Sequence, residues 1–303
     1  MFCLTQYLKE RLGGEEVLIS QLAKCTGKGG IYICPSFVSF KARRDRTRIF
    51  IGHGTSDKPI YKPNEATALT MFDYFFVSGD KDAWLFNRYG HMPHWPVERI
   101  IKTGLIRSDL ILNKVYDREK ILRKYSLPMN KKIVLFAPTF NAQSLPVYGD
   151  KFTNDIPKKY VFVVKVHDRE MSRVVQLKHN VFNFRGPRAD IIELMSVADY
   201  YIGDGSSCDY EFLFTLRPMI ILLPGKPVVH DIPYEYDIRN VCVFHAPDMD
   251  IMKSLEEAEK PEYVELKKAF IDKCFYYNDG HAIDRACKAI EEFKRRIEFW
   301  EKW

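Results

Sequence analysis

A chain of 303 residues is long enough for two domains of ordinary size, and 46% hydrophobic with 28% charged residues are globular values. A net charge of +6 is mildly basic, which permits an anionic ligand or a membrane surface and requires neither. Seven cysteines without a C-x-x-C pair argue against a disulfide framework or a zinc site, and for a reducing compartment.

The N-terminal run MFCLTQYLKERLGGEE mixes charges into its apolar pattern and lacks a signal-peptide core. The longest apolar runs, such as MIILL (219–223), are strand-length, well short of the roughly 20 residues of a membrane span. The expectation is a cytoplasmic protein. Phe2 to Leu12 and Glu15 to Lys24 read as short helices stopped by glycines. IYIC (31–34) is a strand. KARRDRTR (41–48) is a basic run, read as a solvated loop or as a contact with anionic lipid or a phosphorylated acceptor.

RIFIG (48–52) is the next strand and breaks into the polar loop HGTSDKP (53–59). FDYFFVS (72–78) is a strand, Gly79 to Tyr89 a helix, RIIKTG (99–104) a strand and Asp117 to Tyr125 a helix. SLPMNKK (126–132) reads as a linker. A second series follows: KIVLFAP (132–138), YVFVVKV (160–166), VFNF (181–184), DYYIG (199–203), MIILL and VCVF (241–244). Their near-continuous hydrophobicity suits strands of a parallel sheet buried on both faces. Asp190 to Val197 and Ser207 to Leu216 are helical between them. Met249 to Lys273 is helical with a break at Pro261, and His281 to Trp303 is one final helix. Its stripe Phe293, Ile297, Trp300 and Trp303 suits packing back across the first domain or a bilayer interface.

Two consecutive α/β series predict two Rossmann-like domains, 1–126 and 127–280, with the helix 281–303 packing back on the first. Ligands in such sheets bind beyond the carboxyl ends of the strands. The polar residues after the strands, His53, Gly104 to Arg107, Thr139, His167 and Asp204 to Ser207, are therefore expected to converge on one cleft between the domains.

The stretch 199–218 is a strand, a tight turn (Gly203, Asp204, Gly205, Ser206, Ser207) and a helix. The first N–H groups of a helix have no partner within it and favour negative charge. Small residues let an anion approach the backbone. Glu211 lies one turn into the helix, where a carboxylate suits ribose hydroxyls. The same pattern also fits an ordinary strand–helix turn with a serine cap. His53 follows a strand directly and can act as a general base, or be a structural histidine. Arg107 and Asp109, in KTGLIRSD, read as a phosphate clamp with its neighbour or as a surface ion pair. Lys165 and His167 share one face of an otherwise apolar strand, and a buried lysine is costly unless it meets an anion. His91 and His94 have a spacing that suits a metal, but two prolines and the lack of a third ligand favour a plain loop.

In this order the motifs IGHGTSDKP, IIKTGLIRSDLIL, KKIVLFAPTF, VVKVHD, ADYYIGDGSSCDYEFLFTLRPMIIL and YNDGHAIDRACKAI resemble the CDP-glycerol glycerophosphotransferase family, the relatives of teichoic-acid primases and polymerases. The resemblance runs from about Arg48 to Ala289. It implies a GT-B-like α/β fold, two Rossmann-like domains with the active site between them. It implies transfer of a polyol phosphate, glycerol phosphate first among them, from a CDP-activated donor to a hydroxyl of a glycan or lipid-linked acceptor. By matching positions His53 and His167 are the two active-site histidines, Ser206 and Ser207 the Ser–Ser pair at the donor phosphates, and Glu211 the acidic position one turn later. Arg107, Thr139, Lys165 and Asp204 join the donor side, and Gly54, Thr55 and Asp109 the acceptor side. No cofactor or metal is expected. Peripheral association with the inner face of a membrane fits a lipid-linked acceptor. Nucleic acid is not an expected partner, because the basic run lacks interleaved aromatics. The chain departs from the family pattern at Ser56, Asp57, Asn141, Asp168 and at Asp204-Gly205. Two other readings keep the fold: a glycosyltransferase using a nucleotide sugar, and a degenerate member that binds nucleotide or membrane without turnover.

Overall fold

The computed structural model describes residues 30–34, 47–52, 54–55, 72–89, 97–139, 144–167, 181–184, 189–222 and 232–300. In chain order these form β1 (Ile31–Cys34), β2 (Thr47–Phe50), β3 (Tyr74–Val77), α1 (Asp80–Tyr89), β4 (Ile100–Lys102), α2 (Asp109–Leu112) and α3 (Arg118–Lys124). There follow β5 (Lys132–Phe136), α4 (Ser144–Asp155), β6 (Tyr160–Lys165), β7 (Val181–Phe184), α5 (Ile191–Val197), β8 (Tyr200–Gly203) and α6 (Ser207–Leu213). The last are β9 (Met219–Leu222), β10 (Val243–His245), α7 (Ile251–Ala258), α8 (Glu262–Cys274) and α9 (Ala282–Trp300). The two helices expected before residue 25, most of the basic run at 41–48 and the His91/His94 loop lie outside the described residues.

The chain divides into two compact units. Among the described residues, one holds those up to Asp109 and those from Cys274 onward, and the other holds Leu110–Lys273. The expected boundary at 126 thus differs from the observed one by the length of α2 and α3. The reason is local. Arg118 bonds Asp199 at 3.0 Å, and the Tyr125 hydroxyl donates to Glu193 while accepting from Asp190 N–H at 3.1 Å, so α3 is tied to the second unit.

The first unit is a parallel sheet in the order β1-β2-β3-β4. Neighbouring residues in a strand face opposite ways, and both faces are covered. Ile33, Ile49 and Phe76 pack against Ile283, Ala286, Ile290 and Phe293 of α9. Tyr32, Phe50, Phe75 and Phe86 form the opposite cluster. Phe293 stacks on Tyr74 with centroids 4.0 Å apart. The chain re-enters this unit beside the end of β3, where Tyr276 N–H donates to the Ser78 carbonyl at 3.0 Å. Gly79 makes this approach feasible, since a β-carbon there would lie 1.8 Å from the Cys274 carbonyl oxygen.

The second unit is also parallel, in the order β10-β9-β8-β5-β6-β7. The chain starts at the centre with β5, moves outward through β6 and β7, then returns to the other side of β5 for β8, β9 and β10. This is the doubly wound order, with its reversal between β5 and β8. Phe136, Phe162, Tyr148 and Phe152 lie at the heart of one buried face, under α4 and α7. Aspartates start three of the helices: Asp117, Asp190 and Asp250 each accept a backbone N–H of the first turn. Arg217 closes the end of α5 by donating to the carbonyls of Met195, Ser196 and Ala198. The helix α4 is not evident in the sequence. Pro146 and Gly149 read as loop signals, but a proline in the first turn costs no internal hydrogen bond.

His245 closes β10 as a fully buried side chain, its Nδ1 2.8 Å from Ser254 Oγ and its ring against Tyr148 and Phe152. Burial, then the nearby Lys151 ammonium, lowers its pKa from 6.5. The unfolded chain therefore binds the proton first as pH falls. Stability should be full above pH 6.5 and fall as pH drops below it toward the folded-state pKa. Urea midpoints at pH 7.5 and 5.5 should show this decline, and His245→Gln should flatten it.

Candidate functional site

The site is built at the reversal of the second sheet. Backbone pairing continues one step past β5, where Ala137 N–H donates to the Ile202 carbonyl at 3.1 Å. The two strand ends are then joined by Asp204, which is 1% exposed. Its carboxylate accepts from Thr139 N–H at 2.8 and 3.1 Å and from the Ser144 hydroxyl. One side chain thus fixes the end of β5, the turn after β8 and the start of α4.

The turn itself is shaped by a second carboxylate. Asp209 Oδ2 accepts from Gly205 N–H at 2.7 Å and Ser206 N–H at 2.9 Å. Its Oδ1 accepts from the Tyr201 hydroxyl at 2.8 Å. Ser206 is the cap of α6, and its hydroxyl accepts from Cys208 N–H at 3.2 Å, completing a capping box. Gly205 has a φ of +92°, and at Gly203 a β-carbon would lie 2.0 Å from Asp209 Oδ1. Burial, followed by the charge of Asp209, raises the Tyr201 pKa well above its usual value, so the phenol stays a donor.

These bonds sort the residues singled out from the sequence. Of the two N–H groups expected to face an anion, that of Ser206 is engaged by Asp209. Ser207 is half-buried, and neither its N–H nor its hydroxyl has a hydrogen-bond partner among the described residues. Glu211 is fully buried within α6, both carboxylate oxygens out of contact with solvent. Thr139 is half-buried. Lys165 ends β6 as a buried side chain, its Nζ donating to the Val166 carbonyl at 3.1 Å. His167 lies just beyond the strand and is exposed. The end of β6 therefore separates the two, instead of setting them on one face of a strand.

The remaining candidates belong to the first unit. His53 lies outside the described residues. Gly54 beside it has a φ of +120°. Thr55 is buried, and its hydroxyl is 2.9 Å from that of Ser78, which donates to Asp82. Burial raises the Asp82 pKa against the lowering effect of these hydroxyls. Arg107 is half-buried after β4. Asp109, expected on the acceptor side, accepts from Ile283 N–H at 2.7 Å and so caps α9 instead of facing outward. Burial raises its pKa, opposed by the N–H groups of Ile283 and Ala282. No group of three His, Cys, Asp or Glu that could hold a metal occurs among the described residues.

Residues 47–292 match the model of the CDP-glycerol:poly(glycerophosphate) glycerophosphotransferases. The chain belongs to this glycerophosphotransferase family. It is 30% identical over 210 residues to the teichoic acid poly(ribitol-phosphate) polymerase of Bacillus spizizenii, covering 64% of this chain and 34% of that one. It is 26% identical over 250 residues to a teichoic acid poly(glycerol phosphate) polymerase of the same species, covering 77% of this chain and 61% of that one. The chain thus spans between a third and three fifths of the length of these relatives. A solved structure of the wall teichoic acid polymerase TagF, from a CDPG soak, superposes with a TM-score of 0.67 at 18% identity, over 90% of this chain and 73% of that one. The fold is accordingly GT-B-like, built of two Rossmann-like units.

For this glycerophosphotransferase family member, Asp209 is the residue that sequence reasoning missed. Its signal was present, since Ser206 and Asp209 have capping-box spacing. Asp209→Ala leaves a buried phenol and two N–H groups without an acceptor. It should destabilise the protein by about 2–4 kcal/mol in urea unfolding, with Asp209→Asn milder.

Proposed function

We propose that this chain transfers a polyol phosphate, glycerol phosphate first among them, from a CDP-activated donor to a hydroxyl of a glycan or lipid-linked acceptor in cell-wall polymer synthesis. The observation that carries the reading is the Ser207 turn at the reversal between β5 and β8, where doubly wound sheets bind nucleotides, in a chain of the glycerophosphotransferase family. The turn is already held from within by Asp204 and Asp209. It can receive an anion without reorganising, which is the condition for electrostatic stabilisation of a transferring phosphoryl group.

In the proposed reaction the acceptor oxygen attacks the β-phosphorus of the donor. The bond from that phosphorus to the bridging oxygen breaks, and CMP leaves with the electron pair. His53 takes the proton of the acceptor hydroxyl. Ser207, Lys165, His167 and Arg107 bind the donor phosphates and the charge that grows on the leaving CMP. Thr139 and Asp204 act by holding the turn in shape, and Gly54, Thr55 and Asp109 by shaping the loops that carry His53 and Arg107. Glu211 is assigned to the ribose, which requires that donor binding open a path to its buried carboxylate. No described helix is long and apolar enough to cross a membrane. A lipid-linked acceptor would be met by peripheral association.

The direct test is release of CMP from CDP-glycerol in the presence of a lipid-linked acceptor. CMP release is expected, and His53→Ala should lower kcat by about 10²–10⁴ while CDP affinity changes little. Release of UDP or GDP from nucleotide sugars in place of CMP would favour the glycosyltransferase reading. Tight CDP binding without turnover would favour the degenerate one.

Cys208 offers a second test that needs no acceptor, because this half-buried thiol lies next to Ser207. CDP should slow its alkylation by iodoacetamide, followed by mass spectrometry of its peptide, by at least about 10-fold at saturation. Ser207→Ala should raise the CDP concentration needed by roughly 10-fold. Alkylation that ignores CDP would remove the nucleotide from this turn.

A further inference from the structure

The stretch from Tyr277 to Arg285, which runs from the connection after α8 into the first turn of α9, grips the loop after β4 in a way that core packing does not require. Thr103, the first residue of that loop, is buried, and its carbonyl accepts from Arg285 Nε at 2.8 Å. Gly104 follows with a φ of +84°, and a β-carbon there would lie 3.3 Å from the Tyr277 carbonyl oxygen. At the other end of the loop Asp109 accepts from Ile283 N–H at 2.7 Å. Both ends of 103–109 are therefore fastened to one stretch of chain, 174 and 182 residues further on.

Arg285 is itself locked. Its two terminal nitrogens donate to the two oxygens of Asp279 at 2.9 and 2.7 Å, and its guanidinium lies 3.8 Å above the Tyr277 ring. Asp279 also accepts from His281 N–H at 3.1 Å. The Arg285 bonds hold the Asp279 pKa down at about 2, so the pair is charged at any working pH. An exposed ion pair alone adds little to stability. This one is a planar fork that fixes the direction of a third bond, Nε to the Thr103 carbonyl.

We infer that the Asp279–Arg285 pair is a positioning device that holds the loop after β4 so that Arg107 is presented to an anionic ligand in one orientation. The inference rests on the reading of Arg107 as a ligand of the donor phosphates. An arginine on a loose loop must be ordered when its ligand binds, and that cost comes out of the affinity. Neither Asp279 nor Arg285 touches the ligand. Their effect passes entirely through Arg107 and its backbone.

The experiment is a double-mutant cycle on the full chain, with CDP binding measured by calorimetry and amide exchange of the 103–109 peptide measured in parallel. Arg285→Ala and Arg107→Ala should each weaken CDP by roughly 10-fold, and the double variant should be no weaker than Arg107→Ala alone. Exchange across 103–109 should rise in Arg285→Ala and stay unchanged in β5 to β10. Asp279→Asn serves where Arg285→Ala fails to fold, since it loosens the fork but keeps the Thr103 bond. The inference is overturned by unchanged exchange in 103–109, or by a full 10-fold loss on top of Arg107→Ala. A wild-type chain that binds no CDP overturns the donor reading and the role of Arg107 in it, while the exchange comparison still decides whether the pair holds the loop.

Discussion

One carboxylate sets the form of the turn on which the functional reading depends. Asp209 sits in the first turn of α6 and reaches back to two N–H groups of the preceding turn and to a phenol of the preceding strand. Those contacts consume the donors of Gly205 and Ser206 and force Gly203 to lack a side chain. Ser207, next in the chain, has no hydrogen-bond partner among the described residues. The turn is thus self-supporting. Its shape owes nothing to a bound anion, and that separates it from loops that order only when a ligand arrives. Asp204 does the same for the neighbouring strand end. Two carboxylates so close to a proposed phosphate site look unfavourable on charge alone. Here each spends its lone pairs on hydrogen bonds from the backbone, a hydroxyl or a phenol.

Most of the strand framework could be read from the chain because it follows one physical rule. Runs such as KIVLF, YVFVV and MIIL are apolar on both faces, and in a parallel sheet both faces are buried. The helix starts at Asp117 and Asp190 and the break before α8 were legible for similar local reasons. The helix α4 was not, because its proline and glycine carry the same signal as a loop until the position of the first turn is known. The unit boundary was misjudged because composition near 126–132 suggests a linker, whereas the attachments of α3 are made by Arg118 and Tyr125 to residues about 70 positions away.

The sequence marks the polar residues that follow the strands, and says less about what each one contacts. A polar residue after a strand can face a ligand or bond inward, and only its distant partner tells which. Thr55 meets Ser78, Asp204 meets Ser144, and Asp109 meets the backbone of Ile283. Each is an inward contact with a partner that lies 23 to 174 residues along the chain. The sequence marks these three residues as ligand contacts, and their inward hydrogen bonds are not visible in it. Ser207 differs from them, with neither donor nor acceptor engaged among the described residues.

The first unit is made of two separated pieces of chain, while Leu110–Lys273 between them is continuous. This ordering has a consequence for synthesis. The second unit has all of its strands as soon as Lys273 has left the ribosome, and domains generally fold as units as they emerge. The first sheet is in the opposite position. Its strands precede the second unit in the chain, but α9, which packs on Ile33, Ile49 and Phe76, follows it. For the whole time that the second unit is being built, that apolar face lacks the cover that α9 later gives it. Completion of the first unit's core therefore waits on a segment that is made only after the whole second unit.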